Sequence, residues 1–340
     1  MKTKHLLSLI AVCTFTFMTS EGLMAAKWRV NNMPQKYANF TNLQTAINTV
    51  AAGDTLIVEG SSSTYGTIAI NKSIVLLGPG YFLMENDSTQ AFKNSAKLGS
   101  IDFQSSASGS ILFGFEIINT PLKIQCNDIV ISNNYFAINE GNYFIQVFAN
   151  KTNITIYGNY FVRSYSVNSS FLYIEDNVTS IKIFNNYFYY YAGSNAYLVY
   201  MNGTSNAEIY NNIFRSGNLI LRNSIFRNNI LININSFSIT SVLVENNISN
   251  LNQIGNQNGN QININMNDVF VCYDDCTGYS PDERFRLKAG SPAINAGYGG
   301  VDCGIFDGPF PYSISGLAEM PAIWDIQQNG NQYTIKAKSH

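Results

Sequence analysis

The sequence predicts an all-β solenoid, a parallel β-helix with a capping helix at its N-terminal end and an irregular C-terminal cap. Three observations predict it. One turn pattern recurs six times at a spacing that suits a single coil. Apolar residues alternate with a period of two ahead of each copy, the mark of the inward face of a short strand. Asparagine, at 45 of 340 residues, outnumbers all 42 charged side chains.

The copies are IVISNNYF from Ile129, ITIYGNYF from Ile154, IKIFNNYF from Ile181, AEIYNNIF from Ala207, SIFRNNIL from Ser224 and VLVENNIS from Val242. Their second asparagines, Asn134, Asn159, Asn186, Asn212, Asn229 and Asn247, are 25, 27, 26, 17 and 18 residues apart. Such steps fit one turn of a solenoid. Ile131, Ile156, Ile183, Ile209, Phe226 and Val244 are placed inward, with Val130, Thr155, Lys182, Glu208, Ile225 and Leu243 outward. The first position of the pair accepts Asn or, at Gly158, glycine, so it demands positive φ. The second is always Asn and points inward, where stacked amides satisfy one another as a ladder. Phe136, Phe161, Phe188 and Phe214 stack behind it. A second strand precedes the longer units: YFIQVF from Tyr143, FLYIE from Phe171 and YLVYM from Tyr197. The whole amounts to about ten coils, roughly 45–50 Å at about 4.8 Å per coil.

At the N-terminus, residues 1–26 read as a secretory signal peptide: Lys2 and Lys4, an apolar stretch from Leu6 to Met18, then small residues ending at Ala25-Ala26. Nothing later is long and apolar enough to span a membrane. Residues 27–53 form the N-terminal cap. Thr41 and Gln44 have capping-box spacing, Leu43, Ala46, Ile47 and Val50 make an apolar helical stripe, and Gly53 can end the helix. Coils occupy 54–271, a C-terminal coil and cap 272–320, and a tail 321–340.

The segment FTNLQTAINTVAAGDTLIVEG with INKSIVLLGPGYF resembles the start of the right-handed parallel β-helix of pectin-lyase-like proteins. RLKAGSPAINAGYGGVDCGIFDGPFPYSISG, Arg286 to Gly316, resembles the closing segment of secreted bacterial β-helix proteins of uncharacterised activity. The right-handed coil is what this resemblance implies. The fold hosts lyases, hydrolases, esterases, tailspikes and adhesins, so it leaves function open. The hydrolase Gly-His-Gly and the lyase Arg-x-Pro-x-x-Arg are missing. Glu175-Asp176 is the one faint echo of the esterases' paired aspartates.

Composition narrows the partners. A net charge of −2 without basic runs argues against nucleic acid. Cleavage after Ala26 would remove Lys2, Lys4 and Glu21, leaving 18 basic and 21 acidic residues, or −3. Export permits a disulfide, and Cys272, Cys276 and Cys303 lie close enough in sequence that a bridge involving one of them is expected, its partner open; Cys126 stands apart. Zinc is unsuited, with His340 the one histidine after the leader. The acids Asp274, Asp275, Asp282, Glu283, Asp302 and Asp307 leave calcium open but lack EF-hand spacing, and a solvated, disulfide-held loop is the simpler reading.

Site candidates come from coil length. The longer units insert 137–142, 162–170 and 189–196 after the asparagine segment, and these loops would form a wall beside Gln146, Phe148, Tyr173, Glu175 and Met201. Tyr165, Tyr173, Tyr189, Tyr190, Tyr191 and Gln146 are the candidate ligand-binding residues, since tyrosine combines ring contact with a hydroxyl. Packing of these rings on one another is the competing reading. For a lyase, Arg163 or Lys182 would neutralise a substrate carboxylate. For a retaining hydrolase, Glu140 and Glu175 would need carboxyls about 5.5 Å apart. The sequence thus favours an exported protein, extracellular, on the cell surface or in the periplasm, that binds polysaccharide without catalysis, with a carbohydrate-active enzyme, a lyase on acidic glycans or a glycoside hydrolase, and a structural adhesin as alternatives.

Overall fold

The computed structural model describes residues 25–34, 36–86, 89–119, 121–138, 141–164, 169–191, 196–274, 276–318, 321–330 and 332–339. The leader to residue 24, Glu140, Tyr165 and Asp275 lie outside them. The chain is a parallel β-helix, as the repeat requires. A ten-stranded parallel sheet runs from Lys27–Val30 to Leu243–Glu245. Its outward row is Val130, Thr155, Lys182, Glu208, Ile225 and Leu243, each registered on the next.

A second sheet completes the coils in two halves. One half includes Tyr135–Ala137, Tyr160–Arg163 and Tyr187–Tyr190, and the other includes Tyr143–Val147, Ser170–Ile174 and Tyr197–Met201. The inserted loops separate them. Where the repeat shortens to 17 and 18 residues the loop vanishes, and the single strands Ile213–Arg222 and Ile230–Thr240 pass through both halves. The first bends at Ser216 and Gly217, both at positive φ, with a register shift between Gly217 and Asn218.

The asparagine ladder forms as read and extends one rung further. Asn134, Asn159, Asn186, Asn212, Asn229 and Asn247 each donate through Nδ2 to the next Oδ1, at 3.0–3.1 Å, ending on Asn260. Each backbone N–H donates to that same oxygen. The amides are buried, so these bonds replace the water they have lost. Beside them the rings of Phe136, Phe161, Phe188 and Phe214 stack with centroids 4.5, 4.7 and 4.9 Å apart.

The first asparagine of each pair has positive φ, as does Gly158. Its side chain has a second use that the repeat does not reveal. Residues after Ile264 leave the coil end and return along its flank. Asn185 Nδ2 donates to the carbonyls of Ile305 and Asp307, and Asn211 Nδ2 to those of Asp302 and Gly304. Asn228 Oδ1 accepts from the Tyr298 amide, and Asn246 Nδ2 donates to Ala296. Beneath this strap, Tyr160, Tyr187, Ile213 and Ile230 pack against Phe270, Phe285, Ile305 and Tyr312. It ends near the first coils, where the Tyr81 and Tyr312 hydroxyls meet at 2.7 Å. The described residues from 276 to 318 therefore lie along the side of the coil. The stretch set apart as a tail contains an antiparallel ribbon, Pro321–Asn329 with Gln332–Ser339.

At the N-terminal end the helix spans Leu43–Thr49 and buries Leu43, Ala46 and Ile47. Its cap is Asn42, whose Oδ1 accepts the Thr45 amide at 2.8 Å, one residue after the expected Thr41. Gln44, free of a capping-box role, closes the edge of Ile68–Ile70: its Oε1 accepts the Ala69 N–H and its Nε2 donates to the Ala69 carbonyl. No helix among the described residues is long and apolar enough to cross a membrane. Cys272 and Cys276 are bridged, and Cys126 and Cys303 are buried thiols, which burial pushes up to about 11 and about 12.

Candidate functional site

The candidates separate onto different surfaces. Arg163 is fully buried. The alternation through Tyr160–Arg163 turns it inward at the strand end, where its guanidinium lies 4.4 Å from the Phe144 ring centroid. Nε donates to the Ile138 carbonyl and Nη1 to Ser169 Oγ. Burial lowers its pKa to about 10. Facing the core, it cannot neutralise a glycan carboxylate at the surface. Tyr190, its partner in register, is also inward and buried. Lys182 is exposed, but on the ten-stranded sheet, a different face from the loops.

Tyr189 and Tyr191 lie on the strap side of the inserted loops, their centroids 4.8 Å apart. Arg215 sits 4.4 Å over Tyr189 and 5.0 Å from Tyr273. For Tyr189 this is the packing alternative, whereas Tyr191 remains 64% exposed. Of the acids considered for calcium, Asp282 is fully buried, not solvated. It accepts from Ser280 Oγ at 2.8 Å and the Ser315 amide at 2.6 Å, and so fixes the strap end. Among the described residues no group of three or more His, Cys, Asp or Glu is arranged to hold a metal ion.

Tyr173, Gln146 and Glu175 do come together, on the outward face of the other half of the second sheet. One register row there runs Asp102, Lys123, Gln146, Tyr173, Tyr200. Tyr143 stacks on Tyr173 with centroids 4.3 Å apart, Tyr173 on Tyr200 at 5.6 Å, and Tyr197 meets Tyr200 edge-on at 5.0 Å. Because the ring faces are spent on one another, the stack presents edges and hydroxyls to solvent. Asn202 Nδ2 donates to the Tyr173 hydroxyl at 3.0 Å. Glu175 accepts from Gln146 Nε2 at 2.7 Å and from the Ala149 amide at 3.0 Å, which orients its carboxylate along the row. Asp176 turns away: its Oδ1 accepts the Thr204 and Asn177 amides in the following turn, and these bonds, that of Thr204 first, lower its pKa.

Tyr143, Tyr200, Asn202 and Lys123 were not among the sequence candidates. Strict alternation hid Tyr143 and Tyr200. Phe144 and Ile145 are consecutive buried residues, as are Leu198 and Val199, so each strand bends there. The bend turns Tyr200 outward and buries Met201, which alternation had placed on the surface.

Comparison by sequence matches no family model and no curated protein. Among solved structures, the crystal structure of pectate lyase Pel9A is similar in fold, with a TM-score of 0.40 and 14% identity over 83% of this chain and 96% of that one.

Proposed function

We propose that this is an exported polysaccharide-binding β-helix, whose ligand lies along the coil axis on the face of Tyr143, Tyr173 and Tyr200 and is held without being cleaved. The row of phenols, amides and one carboxylate at successive rungs carries this reading. Rungs repeat at about 4.8 Å, so an extended glycan running along the axis meets a new hydroxyl or amide at each. Side chains already fixed by stacking or by hydrogen bonds lose little freedom on binding. The N-terminal leader pattern and the Cys272–Cys276 bridge support work outside the cytosol.

A glycan array read alongside calorimetry tests the proposal. Tyr173→Ala or Tyr200→Ala is expected to weaken the best ligand about tenfold, corresponding to about 1.4 kcal/mol at a binding hot spot. Silence across acidic and neutral glycans would sink it. New reducing ends, or the ultraviolet absorbance of an unsaturated product, would replace binding with catalysis. Capture of a protein partner without glycan dependence would instead favour an adhesin.

A further inference from the structure

We infer that the C-terminal end of the solenoid is a self-association surface, where a second copy docks end to end with its Ser236–Thr240 strand beside the same strand of the first. Three observations converge there. Ser236–Thr240 pairs with Asn218–Arg222 on one side, and among the described residues no strand pairs with its other side. Half of its backbone groups thus form an open edge, a ready template for another strand.

The core is also open at this end. Phe237 and Ile239 lie in register with the buried Leu219 and Leu221, so both occupy core-facing positions. The segment that follows carries the ladder to Asn260 and buries Ile254 against the core, but it leaves Ile239 43% exposed. A cleft of about 280 Å³ lies here, with Phe237, Ile239, Val242 and Val244 on one side and Ile254 with Gln253 and Gln257 on the other. Leu243, also in its lining, is exposed.

Third, the end lacks charge. Of the 40 residues from Asn228 to Asn267 one is charged, Glu245, and Arg227 lies 4.0 Å from it. Edges that must stay unpaired are guarded by lysine, proline or inward charges. Ser236–Thr240 carries no lysine, proline or charge of its own, and the one cation beside it, Arg222, is held by a hydrogen bond from Nη1 to Thr240 Oγ1 at 3.0 Å.

The opposite end decides the geometry. It is covered by the Leu43–Thr49 helix, closed at Ala69 by Gln44 and closed along Lys27–Val30 by Phe40, which bonds Arg29 and Asn31, so it offers little edge for head-to-tail stacking. The remaining contact joins like to like about a two-fold axis, which pairs the two edge strands antiparallel and closes after two copies. A second copy supplies all that the surface lacks: a neutral edge of equal length and an apolar layer of the same residues. The inference does not rest on glycan binding.

Sedimentation equilibrium of the purified protein across the micromolar range tests it, with a dimer expected. Ile239→Lys sets like charges against each other across the axis and is expected to weaken association by about 100-fold or more. Ser238→Lys, an edge guard on the outward face, is expected to weaken it about tenfold. Unchanged circular dichroism, with melting unchanged at a concentration low enough to hold the chain monomeric, would show that both variants fold. A wild-type protein that is monomeric throughout overturns the inference, and so does a dimer indifferent to both substitutions.

Discussion

At the N-terminal end of the solenoid the edge strand Ile68–Ile70 meets the Gln44 side chain, which answers the Ala69 N–H and C=O as a neighbouring strand would. The same register row runs through Asp102, Lys123, Gln146, Tyr173, Tyr200 and Ile220 to Ser238, where no strand among the described residues answers. The composition of the two ends differs in the same sense. Six charged residues fall between Ala26 and Lys72, against one between Asn228 and Asn267. A solenoid must cover its terminal core layer with something. Here one end carries its cover within the coil sequence, and the other leaves its last apolar layer for an outside partner.

The ladder gives the largest expected contrast between interior and end. Asn186 donates to Ile156, Phe184 and Asn212 and accepts both Asn159 donors, all in dry surroundings. Asn186→Ala leaves several buried groups unpaired and is expected to cost about 4 kcal/mol. Asn260 ends the ladder, accepts the two Asn247 donors and donates only to Val244. It is buried too, but it has fewer partners than Asn186, so Asn260→Ala is expected to cost about 2 kcal/mol. Urea denaturation would measure both, and equal costs would mean that the end is as closed as the middle.

The cap predicts the next contrast. Ile47 is fully buried between helix and coil, and truncation to Ala is expected to cost about 3 kcal/mol. Ile239→Ala in the monomer, at the uncovered end, is expected to stay within about 0.5 kcal/mol. Thermal melts at a concentration low enough to hold the chain monomeric separate the two. A large loss at Ile239 would show that the C-terminal end is covered from within the chain.

Much of this was legible because repetition constrains a sequence heavily. The outward row from Val130 to Leu243 and the inward asparagines follow once strand period and coil spacing are known, since each coil repeats its predecessor's environment. The cap helix was legible as an apolar stripe, though its first residue was misplaced by one: Asn42 and Thr41 are both good caps, and backbone geometry chooses between them. What escaped depends on breaks in local periodicity or on distant partners. The bend at Phe144 and Leu198 moved Tyr143 and Tyr200 onto the candidate face. The strand alternation through Arg163 was readable, but its loop-side position suggested solvent. Asn185 and Asn211 read as turn residues, and nothing nearby in sequence announces carbonyls about 90 to 120 residues away. The binding face was therefore half visible: Tyr173, Gln146 and Glu175 were named, while the stack that holds them in a row was not.

The smallest expected effect concerns how the first strand is held to the closed end. Asp54 accepts the Ala26 amide at 2.8 Å, the Trp28 indole N–H at 2.9 Å and the Ala51 amide at 3.1 Å. The indole bond is the main cause that holds its carboxyl below the usual range, with burial opposing. A carboxyl depressed in the folded state contributes stability above its unfolded pKa, about 3.9, and that contribution is lost as pH falls through the folded value. Acid should therefore loosen Lys27–Val30 while the stacked coils persist. Trp28 emission should shift to the red in a Trp324→Phe background, which removes the second of the two tryptophans, with the far-ultraviolet spectrum unchanged. Asp54→Asn should abolish the pH dependence, since the amide does not titrate and still offers one oxygen to the strand. If the transition survives in that variant, the closed end is held by the helix and its apolar stripe alone. The two ends would then differ by their cover and not by any charge.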